Sequence, residues 1–168
     1  MRLTIIKTGR RLAFVAVFLA TGCFAQSIPS VLWGKWVVRR ELPTGTISCW
    51  GEPEARKLIG TEIEYSQHLF RWNNLVTNDP IANTKIITAN KFHDENSSPS
   101  SSGSNVTFEQ LGIKATQAKE ITIQHEDAHI SGATFEIPGD SVLVKNANTI
   151  VFSVCNIYFE AKRVRATK

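Results

Sequence analysis

His125, Glu126 and His129 stand in the spacing HExxH, within the stretch IQHEDAHISG at 123–132. On a helix, residues four apart are neighbours about 6 Å from each other, so two imidazoles reach one zinc while the glutamate activates its water. On a strand the same four residues span about 13 Å, at about 3.3 Å each, and Glu126 faces the opposite side. The conformation of this stretch therefore decides its chemistry. For a helix, Ala118, Ile121, His125 and Ala128 would share a face, and Ser131 with Gly132 would end it. For a strand stand the β-branched Ile121, Thr122 and Ile123, and an alternation that puts Ile121, Ile123, His125, Asp127 and His129 on one side. A zinc peptidase also needs a third ligand. Gly132 fits the extended pattern HExxHxxGxxH, but Phe135 stands where its last histidine belongs, and no histidine follows His129. The initiator is the only methionine, so the methionine turn of that class is missing as well, leaving Glu136 or Glu160 as improvised ligands. The expectation is a polar strand end without a cofactor. A zinc-dependent hydrolase built on His125, Glu126 and His129 is the alternative.

Other reactive groupings are thinner. Glu62 and Glu64 in TEIEY share one strand face, as paired glycosidase carboxylates would, but alternating glutamates also mark the wet side of a sheet. His93 and Asp94 precede several serines without triad spacing, and His68 falls at a turn. The chain has neither a glycine-rich phosphate loop nor a CxxC pair.

The beginning of the chain gives an address. Arg2, Lys7, Arg10 and Arg11 make a basic start, followed by the apolar run LAFVAVFLA and the small residues of TGCFAQS, which is the three-part pattern of an export signal cleaved after Ala25. The apolar run is too short to span a bilayer. Four of the 19 basic residues lie in this leader and none of the 15 acidic ones, leaving 15 of each. A neutral domain after the leader (26–168) offers no electrostatic case for nucleic acid. The same cut removes Cys23 and leaves Cys49 and Cys155, which in an oxidising compartment most simply pair. LATGC also approximates a lipobox, with Ala20 where leucine is usual, so membrane anchoring is expected only if Cys23 is lipidated. Export to the periplasm or beyond is the expected localisation.

The remaining length suits one domain. The serine-rich segment 96–105 cannot bury apolar surface and reads as a flexible loop inside it. LWGKWVVRREL alternates, TEIEYSQHLFRWN reads as a hairpin around Ser66 to His68, and NVTFEQLGI, EITIQ and ATFEI read as further strands. SVLVKNANTIVFSVCNIYFEAKRV gives three more, with turns at Asn146 to Asn148 and at Cys155 and Asn156. One short helix is expected at GEPEARKLIG, where Pro53 suits the first turn and Gly60 a left-handed exit. The fold class is mainly β: a single antiparallel barrel of about eight strands with one short helix, since closure removes exposed edges.

Gly34, Lys35 and Trp36 form a G-x-W at the head of the first strand, which resembles the lipocalins and related calycin barrels. That resemblance implies a meander barrel whose first and last strands are adjacent. It further implies that Trp36 closes one end under a basic side chain from the last strand, Arg163 or Lys162. ISCWGEPEARKLIGTEIEYS and IPGDSVLVK look like stretches of exported bacterial proteins to which no activity is attached. The functional expectation is a non-catalytic barrel that binds a small apolar ligand or an envelope protein partner. Trp36, Phe70 and Trp72 are its candidate contacts, with Trp33 and Trp50 as further aromatic contributors.

Overall fold

The computed structural model describes residues 27–44, 48–96, 105–124 and 136–165. Within them β1 (Gly34–Leu42), β2 (Glu62–Ser66), β3 (Leu69–Trp72), β4 (Leu75–Asn78), β5 (Ile81–Thr88), β6 (Gln117–Gln124), β7 (Ser141–Asn146), β8 (Thr149–Val154) and β9 (Ile157–Arg163) form one sheet. Its order is β4-β3-β2-β1-β9-β8-β7-β6-β5, and every pairing is antiparallel. The sheet is a meander curled into a half-barrel, with first and last strands side by side and edges at β4 and β5. Among the described residues there are nine strands where about eight were expected. Two short helices accompany them, α1 (Glu52–Leu58) and α2 (Ala89–Glu95), where one was expected. The leader, most of the serine-rich segment and the HExxH residues lie outside the described residues.

Two apolar layers hold the sheet. One gathers Trp36, Val38, Ile63, Tyr65, Phe70, Phe152 and Phe159, with Ala55 and Leu58 of α1. The other gathers Val151, Leu143, Tyr158 and Ile87 with Phe92 of α2 and the apolar side chains of 105–113. In β8, alternation divides the strand between them: Ile150, Phe152 and Val154 belong to the first, Val151 to the second. Residues 149–161 are almost continuously apolar because β8 and β9 are covered on both faces. The register of β1 against β9 shifts between Val38 and Arg40, a bulge that moves Leu42 into the second layer while Trp36 and Val38 stay in the first.

Local chemistry explains the turns. Cys155 and Asn156 both have positive φ, 50° and 63°, between the paired Val154 and Ile157, as a two-residue hairpin on the natural strand twist requires. Helix α1 begins with Glu52, Pro53 and Glu54 and ends with Arg56 and Lys57, which complements its dipole. The segment 105–113 forms turns rather than the expected strand: Thr107 N–H donates to Gln110 Oε1 at 2.8 Å and Gln110 N–H to Thr107 Oγ1 at 3.3 Å. That reciprocal pair is a capping box, and it lets Val106, Phe108, Leu111 and Ile113 all turn toward the second layer.

Across the concave side, Tyr65 Oη donates to the carbonyl of Gly139 at 2.7 Å and is fully buried. Burial, with Asp140 nearby, holds the Tyr65 hydroxyl well above its ordinary pKa of 10.0, so it stays a neutral donor. Gly139 has φ +87°, and a Cβ there would lie 2.5 Å from Tyr65 Oη and 2.9 Å from Ile63 Cδ1. Gly139→Ala is therefore expected to cost about 2 to 4 kcal/mol, combining the left-handed backbone and the clash. Urea denaturation checks this, and an unchanged midpoint would show that residues 136–140 do not press on β2.

Candidate functional site

Three of the sequence candidates lie along or beside one row of the concave face. The registers set Arg163 opposite Trp36, Trp36 opposite Ile63, Ile63 opposite Trp72, and Trp72 opposite Leu75 on the edge strand. Trp36 is wholly buried, and Arg163 covers it with its guanidinium carbon 4.2 Å from the ring centroid. The same guanidinium donates through Nη2 to Val31 O at 2.6 Å, through Nε to Ala147 O at 2.9 Å, and through Nη1 to Trp33 O. Trp36 Nε1 donates to Leu32 O at 2.7 Å. One arginine thus joins the turn before β1, the β7–β8 turn and the aromatic ring. Burial lowers its pKa from the ordinary value, but the carbonyls around it suit the charged form. Gly34 has φ +116°, and a Cβ on it would sit 3.2 Å from Arg163 Nη1. The glycine of the G-x-W thus serves the arginine that covers the tryptophan.

Lys162 is directed elsewhere. Its Nζ donates to Thr149 Oγ1 at 2.9 Å and lies 3.3 Å from Glu160 Oε1. Phe70 is wholly buried and stacks on Tyr65 with ring centroids 5.5 Å apart. Trp72 differs from both: it is only half-buried, one strand in from the edge, and its Nε1 is buried without an acceptor among the described residues. An unmet indole N–H of this kind costs about 1 to 3 kcal/mol. Unsatisfied buried donors are few in folded proteins, which makes Trp72 the exceptional member of this row.

The disulfide expected from the cysteine count is present, joining Cys49 and Cys155 across 106 residues with a Cα–Cα distance of 5.2 Å. It fastens the segment before α1 to the β8–β9 turn. Loop closure of this length stabilises by about 4 to 5 kcal/mol in the chain-entropy account.

The HExxH stretch meets a strand. β6 runs through Gln124 with Ile121 and Ile123 both in the first layer, so 118–124 is extended where a zinc-binding helix would have begun. His125, Glu126 and His129 themselves lie outside the described residues. Glu136 accepts from Cys155 N–H, and Glu160 is held by cations. Among the described residues, no three His, Cys, Asp or Glu side chains converge as metal ligands would. Glu62 pairs with Lys35 at 3.5 Å and Glu64 with Arg71 at 3.3 Å, each across neighbouring strands. His93 and Asp94 lie on α2, 3.7 Å apart, and His68 Nδ1 meets Asp79 Oδ1 at 2.8 Å.

Sequence reasoning gave Glu160 no structural part, yet it is the electrostatic centre of the covered face. Only 5 % exposed, it receives Lys145 at 2.9 Å, Lys162 at 3.3 Å and Arg40 at 3.4 Å. Lys145 Nζ also reaches Leu111 O at 3.3 Å, tying the 105–113 segment to the sheet. The available signal was a lone acid between Phe159 and Ala161 in a strand with no room for an unpaired charge. Burial alone would raise the Glu160 pKa, but Lys145, then Arg40 and Lys162, more than offset it, leaving it below 4.5.

The chain matches no protein-family model, no curated protein and no solved structure.

Because the folded pKa of Glu160 is depressed, its charge stabilises the fold above the unfolded value near 4.5, and that contribution fades as pH falls through the folded value. Glu160→Gln is expected to cost about 1 to 3 kcal/mol at pH 7. The gap from wild type should shrink steadily below pH 4.5 in denaturation curves. A gap constant from pH 7 to 3 would contradict the ion-pair account.

Proposed function

We propose that this protein is an exported, non-catalytic, lipocalin-like β-barrel binding protein that takes a small apolar molecule carrying an acceptor oxygen. The observation that carries this reading is the buried, unanswered N–H of Trp72 on the concave row that runs out to edge strand β4. Supporting the lipocalin likeness are the adjacent first and last strands and the Arg163 cover on Trp36. Supporting export are the leader pattern and a disulfide compatible with an oxidising compartment. No helix among the described residues is long and apolar enough to cross a membrane. In this reading Trp72 is the polar contact, while Trp36 and Phe70 serve as the packed wall behind it. No metal takes part.

Native mass spectrometry of protein recovered from its own cell envelope tests this, beside a denatured sample. The expected result is a non-covalent organic adduct lost on denaturation, with its occupancy reduced about tenfold by Trp72→Phe, which keeps the ring and removes the donor. Bare protein would shift the reading to an envelope protein partner. Zinc released on denaturation, together with a hydrolytic activity abolished by Glu126→Gln, would replace it with the metalloenzyme.

A further inference from the structure

The two ends of the half-barrel differ in chemistry. Arg163 and the carbonyls around it close the end at Trp36. At the other end, where β1 stops at Leu42 and β8 turns into β9, a cleft of about 230 Å³ lies between the end of β1 and α1. Ala55 and Ile157 floor it, Trp50 stands half-buried beside it, and Glu41 and Glu52 supply its charge. No lysine, arginine or histidine lines it among the described residues. Glu52 is paired with Arg56 one helical turn along, but Glu41 takes part in no ion pair among the described residues.

A free carboxylate and an indole beside one small apolar-floored recess suit a particular kind of occupant. A hard metal cation such as calcium takes six or more oxygen ligands at about 2.3 to 2.6 Å, and two glutamates beside alanine and isoleucine do not provide them. An organic ammonium ion is instead weakly hydrated, is attracted to the indole face, and gains from the carboxylate. We infer that this cleft binds a compact organic ammonium ion free in solution, independently of what Trp72 receives.

The disulfide gives the site a dependence of its own. Cys49 stands between Ser48 and Trp50, which both line the cleft, and Trp50 N–H donates to Ser48 Oγ at 2.8 Å. The bond to Cys155 fixes that short segment against the β8–β9 turn, next to Ile157. Reduction releases one wall of the cleft while the strand pairings remain.

The test is titration of the oxidised protein with choline, following the indole N–H signals by nitrogen-15 NMR, with Trp50→Phe to assign the responding one. Choline should shift the Trp50 signal saturably. Its uncharged isostere 3,3-dimethylbutan-1-ol should bind at least about tenfold more weakly, as expected of a cation on an indole. Phosphocholine should also bind more weakly, because its phosphate meets Glu41 and Glu52. Glu41→Gln should lower choline affinity about tenfold with the rest of the spectrum unchanged, while Glu109→Gln, at an exposed site elsewhere, should leave it as it was. Reduction of the disulfide should weaken binding. Equal binding of choline and the alcohol would make the cleft merely apolar, and equal binding of phosphocholine would point to a lipid headgroup. Either result, an equal loss in the two glutamine variants, an unaltered affinity after reduction, or no response to choline would overturn the inference.

Discussion

The pairing of β1 with β9 is the constraint on which the rest of the structure depends. It pairs Trp36–Leu42 with Tyr158–Arg163, and among the described residues it is the only ladder between the first four strands and the last five. Every other ladder joins strands that follow one another in the chain, through two-residue turns at β2–β3, β3–β4, β7–β8 and β8–β9 and through longer connections at β1–β2, β5–β6 and β6–β7, whereas this seam closes nearly the whole length of the protein. The molecule secures it three times. Arg163 lies over Trp36 and holds three carbonyls at one end, Arg40 meets the buried Glu160 in the middle, and Cys49 is bonded to Cys155 at the other. Each fastening uses a different interaction, so no single change of pH or redox state releases all three.

From that seam outward the two halves of the sheet have different tasks. The half from β9 to β5 carries side-chain layers on both faces, with α2 and 105–113 laid over the outer one. Tyr158 belongs to that cover: it meets Phe92 edge-on, its hydroxyl bonds Asn96 at 3.0 Å, and burial with Glu136 and Glu120 nearby pushes its pKa up to about 12. The half from β1 to β4 has no such outer layer among the described residues. It shows cross-strand ion pairs outside and Trp36, Ile63, Trp72 and Leu75 inside. Among the described residues, one half of the sheet is thus packed on both faces and the other chiefly on one.

Much of the architecture was legible in the sequence, and the parts that were not share a cause. β1, the β2–β3 hairpin and β7 to β9 bury alternate or continuous apolar residues, and α1 carries Pro53 and Gly60 at its ends, so local pattern and tertiary role agree. β5 buries only Ala82 and Ile87 of its eight residues, and β4 none, because both are edges; a pattern that reports burial cannot find strands that bury little. The 105–113 segment has strand-like apolar spacing, yet its Thr107–Gln110 capping box closes a turn, a signal that was present and outweighed. In the candidate site, the G-x-W resemblance pointed to Arg163 or Lys162 over Trp36, and the register selects Arg163. Register also assembles Glu160 with Arg40, 120 residues away in sequence by their numbers, and composition carries no such information.

The central proposal is that Trp72, next to last in the row that ends at Leu75, receives an acceptor oxygen from a ligand, and its indole proton reports on this directly. Its nitrogen-15-edited resonance and its exchange with solvent can be followed in protein isolated from the envelope, before and after extraction of bound small molecules. The account predicts an unbonded proton in the extracted protein that moves downfield and exchanges more slowly when the extract is returned. A Trp72 proton already hydrogen-bonded in the extracted protein, and indifferent to the extract, would contradict it.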